Sequence, residues 1–125
     1  MRTDFSQAQI GIYSYKHGGA PADSQFEFDL ERFRDPIGNQ NLRKVAQDGT
    51  HAEVKKWIRE DPRLPAILES VRLLAEDRIV HGGFKWISFA FTDFHGRWIS
   101  RAVAEIVADS LSGAFNVGVL HGPTT

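Results

Sequence analysis

The chain has 125 residues, 42% of them hydrophobic and 25% charged, and its 15 basic and 16 acidic side chains leave a net charge of −1. This is the composition of one globular domain able to bury a core of its own, and the balance excludes a broadly basic nucleic-acid surface while leaving room for a local patch. The absence of cysteine excludes thiol catalysis, disulfides and cysteine-ligated zinc.

No apolar run approaches the roughly 20 residues of a membrane span. The opening Met1-Arg2-Thr3-Asp4 lacks the apolar centre of a signal peptide. We therefore expect a cytoplasmic protein with no membrane partner. It reads as one domain over 1–125, flexible at 1–8 and 122–125.

Taken in order, Ile10-Gly11-Ile12-Tyr13-Ser14-Tyr15 alternates as a strand does. It leads into Lys16-His17-Gly18-Gly19-Ala20-Pro21, a loop whose glycines permit close approach to a ligand. Phe26, Phe28 and Leu30 alternate with Glu27 and Asp29, which predicts a second strand with one polar face. Its exit, Glu31-Arg32-Phe33-Arg34-Asp35-Pro36, is charged and halted by proline. Leu42-Arg43-Lys44-Val45 suggests a single helical turn.

Thr50 with Glu53 forms a capping-box pattern before a helix carrying Val54, Trp57 and Ile58. Pro65 suits the first turn of the next helix. There Leu64, Ile67, Leu68, Val71 and Leu74 make the apolar stripe. Gly82-Gly83 introduces the stretch around which the domain is organised. Trp86-Ile87-Ser88-Phe89-Ala90-Phe91 is a strand buried on both faces, and Thr92 to Arg97 is a polar turn. Ile99, Ala102, Val103, Ile106, Val107 and Leu111 keep helical spacing, with Ser112-Gly113 at the helix end. Phe115 to Leu120 reads as a last strand. The fold class is α/β: a mostly parallel sheet of about four strands with helices packed on it.

Polar groups gather at three predicted strand exits. If those strands are parallel neighbours, the loops converge on one sheet edge, where α/β folds bind ligands. They bring Lys16, His17, Gly18, Asp29, Arg32, Arg34, Thr92, Asp93, His95, Gly96 and Arg97. A helix start with free N–H groups, a threonine hydroxyl and guanidinium forks suits an anion. The alternative for Arg32 and Arg34 is surface pairing with Glu31 and Asp35. For His95 it is a solvated turn. The rings of Trp57, Trp86 and Trp98 read as core, with Trp98 the one nearest the site. His17, His51, His81, His95 and His121 have no metal-ligand spacing, and no glycine-framed nucleophile elbow is present. We assign no metal and no cofactor.

Several segments resemble, in the same order, the C-terminal domain of the RNase adapter protein RapZ. Tyr15-Lys16-His17-Gly18 followed by Pro21 resembles its aromatic-lysine-aromatic-glycine loop. Phe28-Asp29-Leu30 with Arg34-Asp35-Pro36 resembles F-D-V-R…N-P, and Leu42-Arg43 the L-R before a T-G motif. Phe91 to Arg97 lies where the family has C-T-G-G-x-H-R-S, with Thr92 and Arg97 in register. Asn116 to His121 resembles the closing N-V-x-V-x-H. The departures fall in the anion loop. The family's two glycines are Asp93 and Phe94 here, its histidine is Gly96 with His95 displaced by one, and its arginine after F-D-V falls at Glu31. No T-G stands at Asp48-Gly49. The loop reads as degenerate or retuned, because Asp93 opposes an anion and Phe94 narrows its approach.

The resemblance implies a domain that binds an amino-sugar phosphate and small regulatory RNA, and that makes oligomer contacts without catalysis. The chain holds no G-x-x-x-x-G-K-[ST], so P-loop nucleotide hydrolysis is excluded for it. We rank first a non-enzymatic binding module for a phosphorylated small molecule. In it Thr92 and the N–H groups of Gly96 and Arg97 hold the phosphate. Arg97, Lys16 and Arg34 neutralise it, and Asp29 or Asp93 takes a sugar hydroxyl or amine. Second is an RNA-binding adapter using Lys16, Arg32, Arg34, Arg43 and Lys44. Third is a phosphosugar enzyme using His95 or His17 with Asp29 or Asp93. Homo-oligomers remain open.

Overall fold

Four runs rich in aromatic and β-branched residues form the sheet: β1 (Ile10–Lys16), β2 (Phe26–Asp29), β3 (Ile87–Asp93) and β4 (Val117–His121). They are ordered β2-β3-β1-β4, and every neighbouring pair is parallel. The computed structural model describes residues 1–21, 23–31, 33, 52–94 and 98–123. Within them lie the helices α1 (Ala52–Arg59), α2 (Leu64–Ala75) and α3 (Ile99–Leu111). A π-helical turn, Glu76–His81, prolongs α2.

The centre of the sheet is dry. All seven residues of β3 are buried. Ile10 and Ile12 of β1 and Ile87, Phe89 and Phe91 of β3 share one core with Val54 and Ile58 of α1, Val71 of α2, and Val103, Ile106 and Val107 of α3. β2 lies at the edge and alternates between half-buried and exposed, as its sequence predicts. Its two rings stack on those of β3, Phe26 on Phe89 at 5.3 Å and Phe28 on Phe91 at 5.2 Å between centroids.

An all-parallel sheet needs cover on both faces. Part of the second face is covered by the N-terminal segment and Trp86. Phe5 packs against Tyr13 and Trp86, at 5.1 and 5.2 Å between ring centroids. Gly11 and Gly118 leave the room this needs. Residues 1–8 read as loose in sequence, yet here they are bonded to β4. The Thr3 N–H donates to the Val117 carbonyl at 2.9 Å, and the Val117 N–H to the Met1 carbonyl at 2.8 Å.

Predicted and observed elements among the described residues agree closely, and the larger differences lie at the end of β3 and the start of β4. β3 runs on through Thr92 and Asp93, which the sequence places in the turn. The ladder continues because both have partners, Thr92 opposite Tyr15 and Asp29, and Asp93 opposite Lys16. β4 starts at Val117 rather than Phe115, whose N–H still donates to the Leu111 carbonyl at the end of α3. The helical turn expected at Leu42 to Val45 and the cap expected at Thr50 lie outside the described residues.

Candidate functional site

The strand order makes β2, β3 and β1 parallel neighbours, so their carboxyl ends share one edge. Backbone bonds stitch that edge together. The His17 N–H donates to the Asp93 carbonyl at 2.7 Å, and the Leu30 N–H to the Thr92 carbonyl at 2.8 Å. Lys16, His17, Gly18, Asp29, Thr92 and Asp93 are thereby brought together. Gly18 takes φ +76°, a conformation that glycine adopts without strain, and a β-carbon there would meet nothing within 4 Å. Arg32, Arg34, Arg43, Lys44, His95, Gly96 and Arg97 lie outside the described residues.

The side chains at this edge form a specific polar pattern. His17 Nε2 lies 2.9 Å from Asp29 Oδ1, which also accepts the Glu31 N–H at 2.9 Å. The hydrogen bond to Asp29 holds the His17 imidazole above its ordinary pKa, and the same bond, with the Glu31 N–H, holds the Asp29 carboxyl below its own. His17, Asp29 and Glu31 are exposed, and their ligand atoms lie within 4.8 Å of one another. Exposed carboxylates commonly gather in this way, and the ion pair alone accounts for the arrangement.

Behind this pair the edge becomes dry. Thr92 is fully buried, and among the described residues its hydroxyl has no hydrogen-bond partner; the buried Ser100 hydroxyl has none either. Asp93 is 5% exposed, and its Oδ2 accepts the Ser100 N–H at 2.9 Å. It thus caps the first turn of α3 with a carboxylate, the charge that a helix start favours. Sequence reading finds Asp93 but misses this role. The two residues are seven apart, whereas capping motifs span three positions. Trp98 packs partly buried against the core at the start of α3, and Phe94 is 73% exposed beside the edge.

A second polar chain escapes sequence reading altogether. Ser14 Oγ lies 2.6 Å from His121 Nδ1, and His121 Nε2 lies 3.0 Å from Glu105 Oε2. Glu105 also meets Arg2 at 3.2 Å. Its carboxyl is held below the ordinary glutamate range, first by the bond to His121 and then by Arg2, against the opposing effect of burial. Ser14 and His121 are 107 residues apart, and only the β1–β4 register sets them side by side. The arrangement resembles a catalytic triad in composition. The Ser14 hydroxyl, however, is already taken up by its bond to His121, and the chain ties β1, β4 and α3 together.

Among the described residues no helix is long and apolar enough to cross a membrane. The model of the RapZ C-terminal domain family matches residues 7–124. A nucleotide-binding protein of Cereibacter sphaeroides is 35% identical over 108 residues, which cover 84% of this chain and 35% of that relative. The chain thus spans about a third of the relative's length. The motif order from Tyr15 to His121, the parallel sheet and the match over nearly the whole chain agree: this protein belongs to the RapZ C-terminal domain family.

Proposed function

We propose that this domain is a non-catalytic binding module for a small phosphorylated metabolite of the amino-sugar-phosphate kind, received at the carboxyl edge of β2, β3 and β1. The observation that carries this reading is the convergence of Lys16, His17, Asp29 and the unpartnered Thr92 hydroxyl on that edge. A buried hydroxyl without a partner is uncommon in folded proteins, and a phosphate oxygen supplies one. Lys16, with Arg34 and Arg97, which follow β2 and β3 in sequence, answers the charge. Among the described residues Asp29 bonds His17 and Glu31 through Oδ1, and Oδ2 is offered to a sugar hydroxyl or amine.

Asp93 sets this site apart from an open helix-start anion site. Its carboxylate already takes the Ser100 N–H, so a bound phosphate depends on side-chain cations and Thr92 more than on the helix. Calorimetric titration with glucosamine 6-phosphate tests the reading. Binding that disappears on Arg97→Ala supports it; undiminished affinity in the variant counts against it.

A further inference from the structure

A groove of about 500 Å³ opens between the end of β2 and the start of α2. Phe28, Asp29, Phe33, Arg63, Ala66 and Ile67 line it. None of the α2 residues belongs to the strand-edge site, and the sequence singles out neither Arg63 nor Ala66. The walls are firm. Phe28 is stacked on Phe91 with an interplanar angle of 18°, and Ile67 packs half-buried against the core.

Arg63 is the unusual member. Its guanidinium carbon sits 4.4 Å from the centre of the Phe33 ring. Its Nε and Nη2 are buried and donate to no acceptor among the described residues. The neighbouring carboxylate oxygen, Asp61 Oδ1, is 3.9 Å from Nε, beyond hydrogen-bond length, and takes the Arg63 backbone N–H at 2.9 Å instead. The side chain as a whole is 41% exposed, and Arg63 lines the groove with its remaining surface. A guanidinium whose face is taken by an aromatic ring still has its edge for hydrogen bonds. Donors left unused at such a position are costly unless an acceptor arrives. Asp29 also lines the groove; after its bonds to His17 and the Glu31 N–H, the Arg63 charge adds to holding its carboxyl below the ordinary range.

We propose that this groove is a second binding site, which takes a small organic anion with a flat apolar body. The carboxylate or phosphate lies in the plane of the Arg63 guanidinium, and the body rests against Phe28, Ala66 and Ile67. The apolar walls give the site its selectivity, because a bare inorganic anion leaves them wet. The site stands apart from the strand-edge reading. It shares Asp29 with that edge, and its reporters lie on α2.

Amide NMR titration of the whole chain with phenyl phosphate, benzoate and inorganic phosphate tests this. Phenyl phosphate or benzoate should move the Ala66 and Ile67 amides saturably, and inorganic phosphate should leave them in place. Which of the two aryl anions binds tighter tells whether phosphate or carboxylate is the natural group. Arg63→Met should weaken that binding about tenfold or more, as loss of a charge-assisted bond does. Ala66→Phe, a change at an exposed position that fills the groove, should abolish it while the thermal midpoint stays put. Aryl anions that leave Ala66 and Ile67 unmoved would overturn the proposal. So would equal affinity in Arg63→Met or Ala66→Phe. Shifts at Lys16 and Thr92 report on the strand-edge site, so failure of either site is read separately.

Discussion

The Asp93 carboxylate, at the end of β3, accepts the N–H of Ser100, at the start of α3, at 2.9 Å. The helix start, the most obvious place for an external anion in this fold, therefore carries an internal one. Under the proposed function, stability and affinity are set against each other at this residue. Asp93→Ala should cost about 1 kcal/mol, the usual loss for a removed cap, read as a lower denaturant midpoint. Asp93→Asn keeps an acceptor and discards the charge. It should hold the midpoint near that of the parent and bind glucosamine 6-phosphate more tightly. Weaker binding by Asp93→Asn would mean that the carboxylate contacts the ligand favourably.

The exposed pair of His17 and Asp29 sets a pH dependence. Its imidazole is held above the ordinary value of 6.5 by the Asp29 bond. A raised folded value means that the pair's contribution is full below 6.5 and fades as the pH rises through the raised value. NMR titration of the His17 ring should give a midpoint above 6.5, and Asp29→Asn should lower it. Affinity for an anion at this edge should decline over the same rising range. An unchanged midpoint in Asp29→Asn would dissolve the pair as a functional unit.

Glu105 works in the opposite sense. Its carboxyl is held below the ordinary value of 4.5 by His121 and Arg2. A depressed folded value contributes stability above 4.5 that is lost as the pH falls through the folded value. Melting temperature should therefore drop more steeply below pH 4.5 in the parent than in Glu105→Gln. His121→Ala should cost about 1–3 kcal/mol at neutral pH, because it leaves the buried Ser14 hydroxyl without its partner.

Gly118 tests the cover on the second sheet face. A β-carbon there would lie 2.8 Å from the Phe5 α-carbon. That atom belongs to backbone and cannot swing aside. Gly118→Ala should cost about 1–3 kcal/mol by overpacking, and Phe5→Ala should fail to rescue it. At Gly11 the clash is with the rings of Trp86 and Phe5. Truncating Phe5 should recover part of the loss from Gly11→Ala.

The fold was legible where local pattern and burial coincide. Phe89 and Phe91, or Val103 and Val107, declare their element by spacing alone, and neighbouring parallel strands follow from that alternation with helices. The convergence of Lys16, Asp29 and Thr92 was legible too, conditional on the strand order that the structure supplies. What stayed hidden depends on register or on orientation across the chain. Nothing near Ser14 in sequence announces His121, and Asp93 was seen as a charge opposing an anion when its nearest work is to cap α3. Arg63 was invisible because its environment is made by Phe33 and Asp61, and its spacing fits no motif.

The most direct test of the central claim is a backbone amide NMR titration with glucosamine 6-phosphate. A site at the carboxyl edge of β2, β3 and β1 predicts saturable shifts centred on Lys16, His17, Asp29 and Thr92, absent in Arg97→Ala. Saturable binding whose shifts fall away from those residues, or no shifts at all, would contradict it.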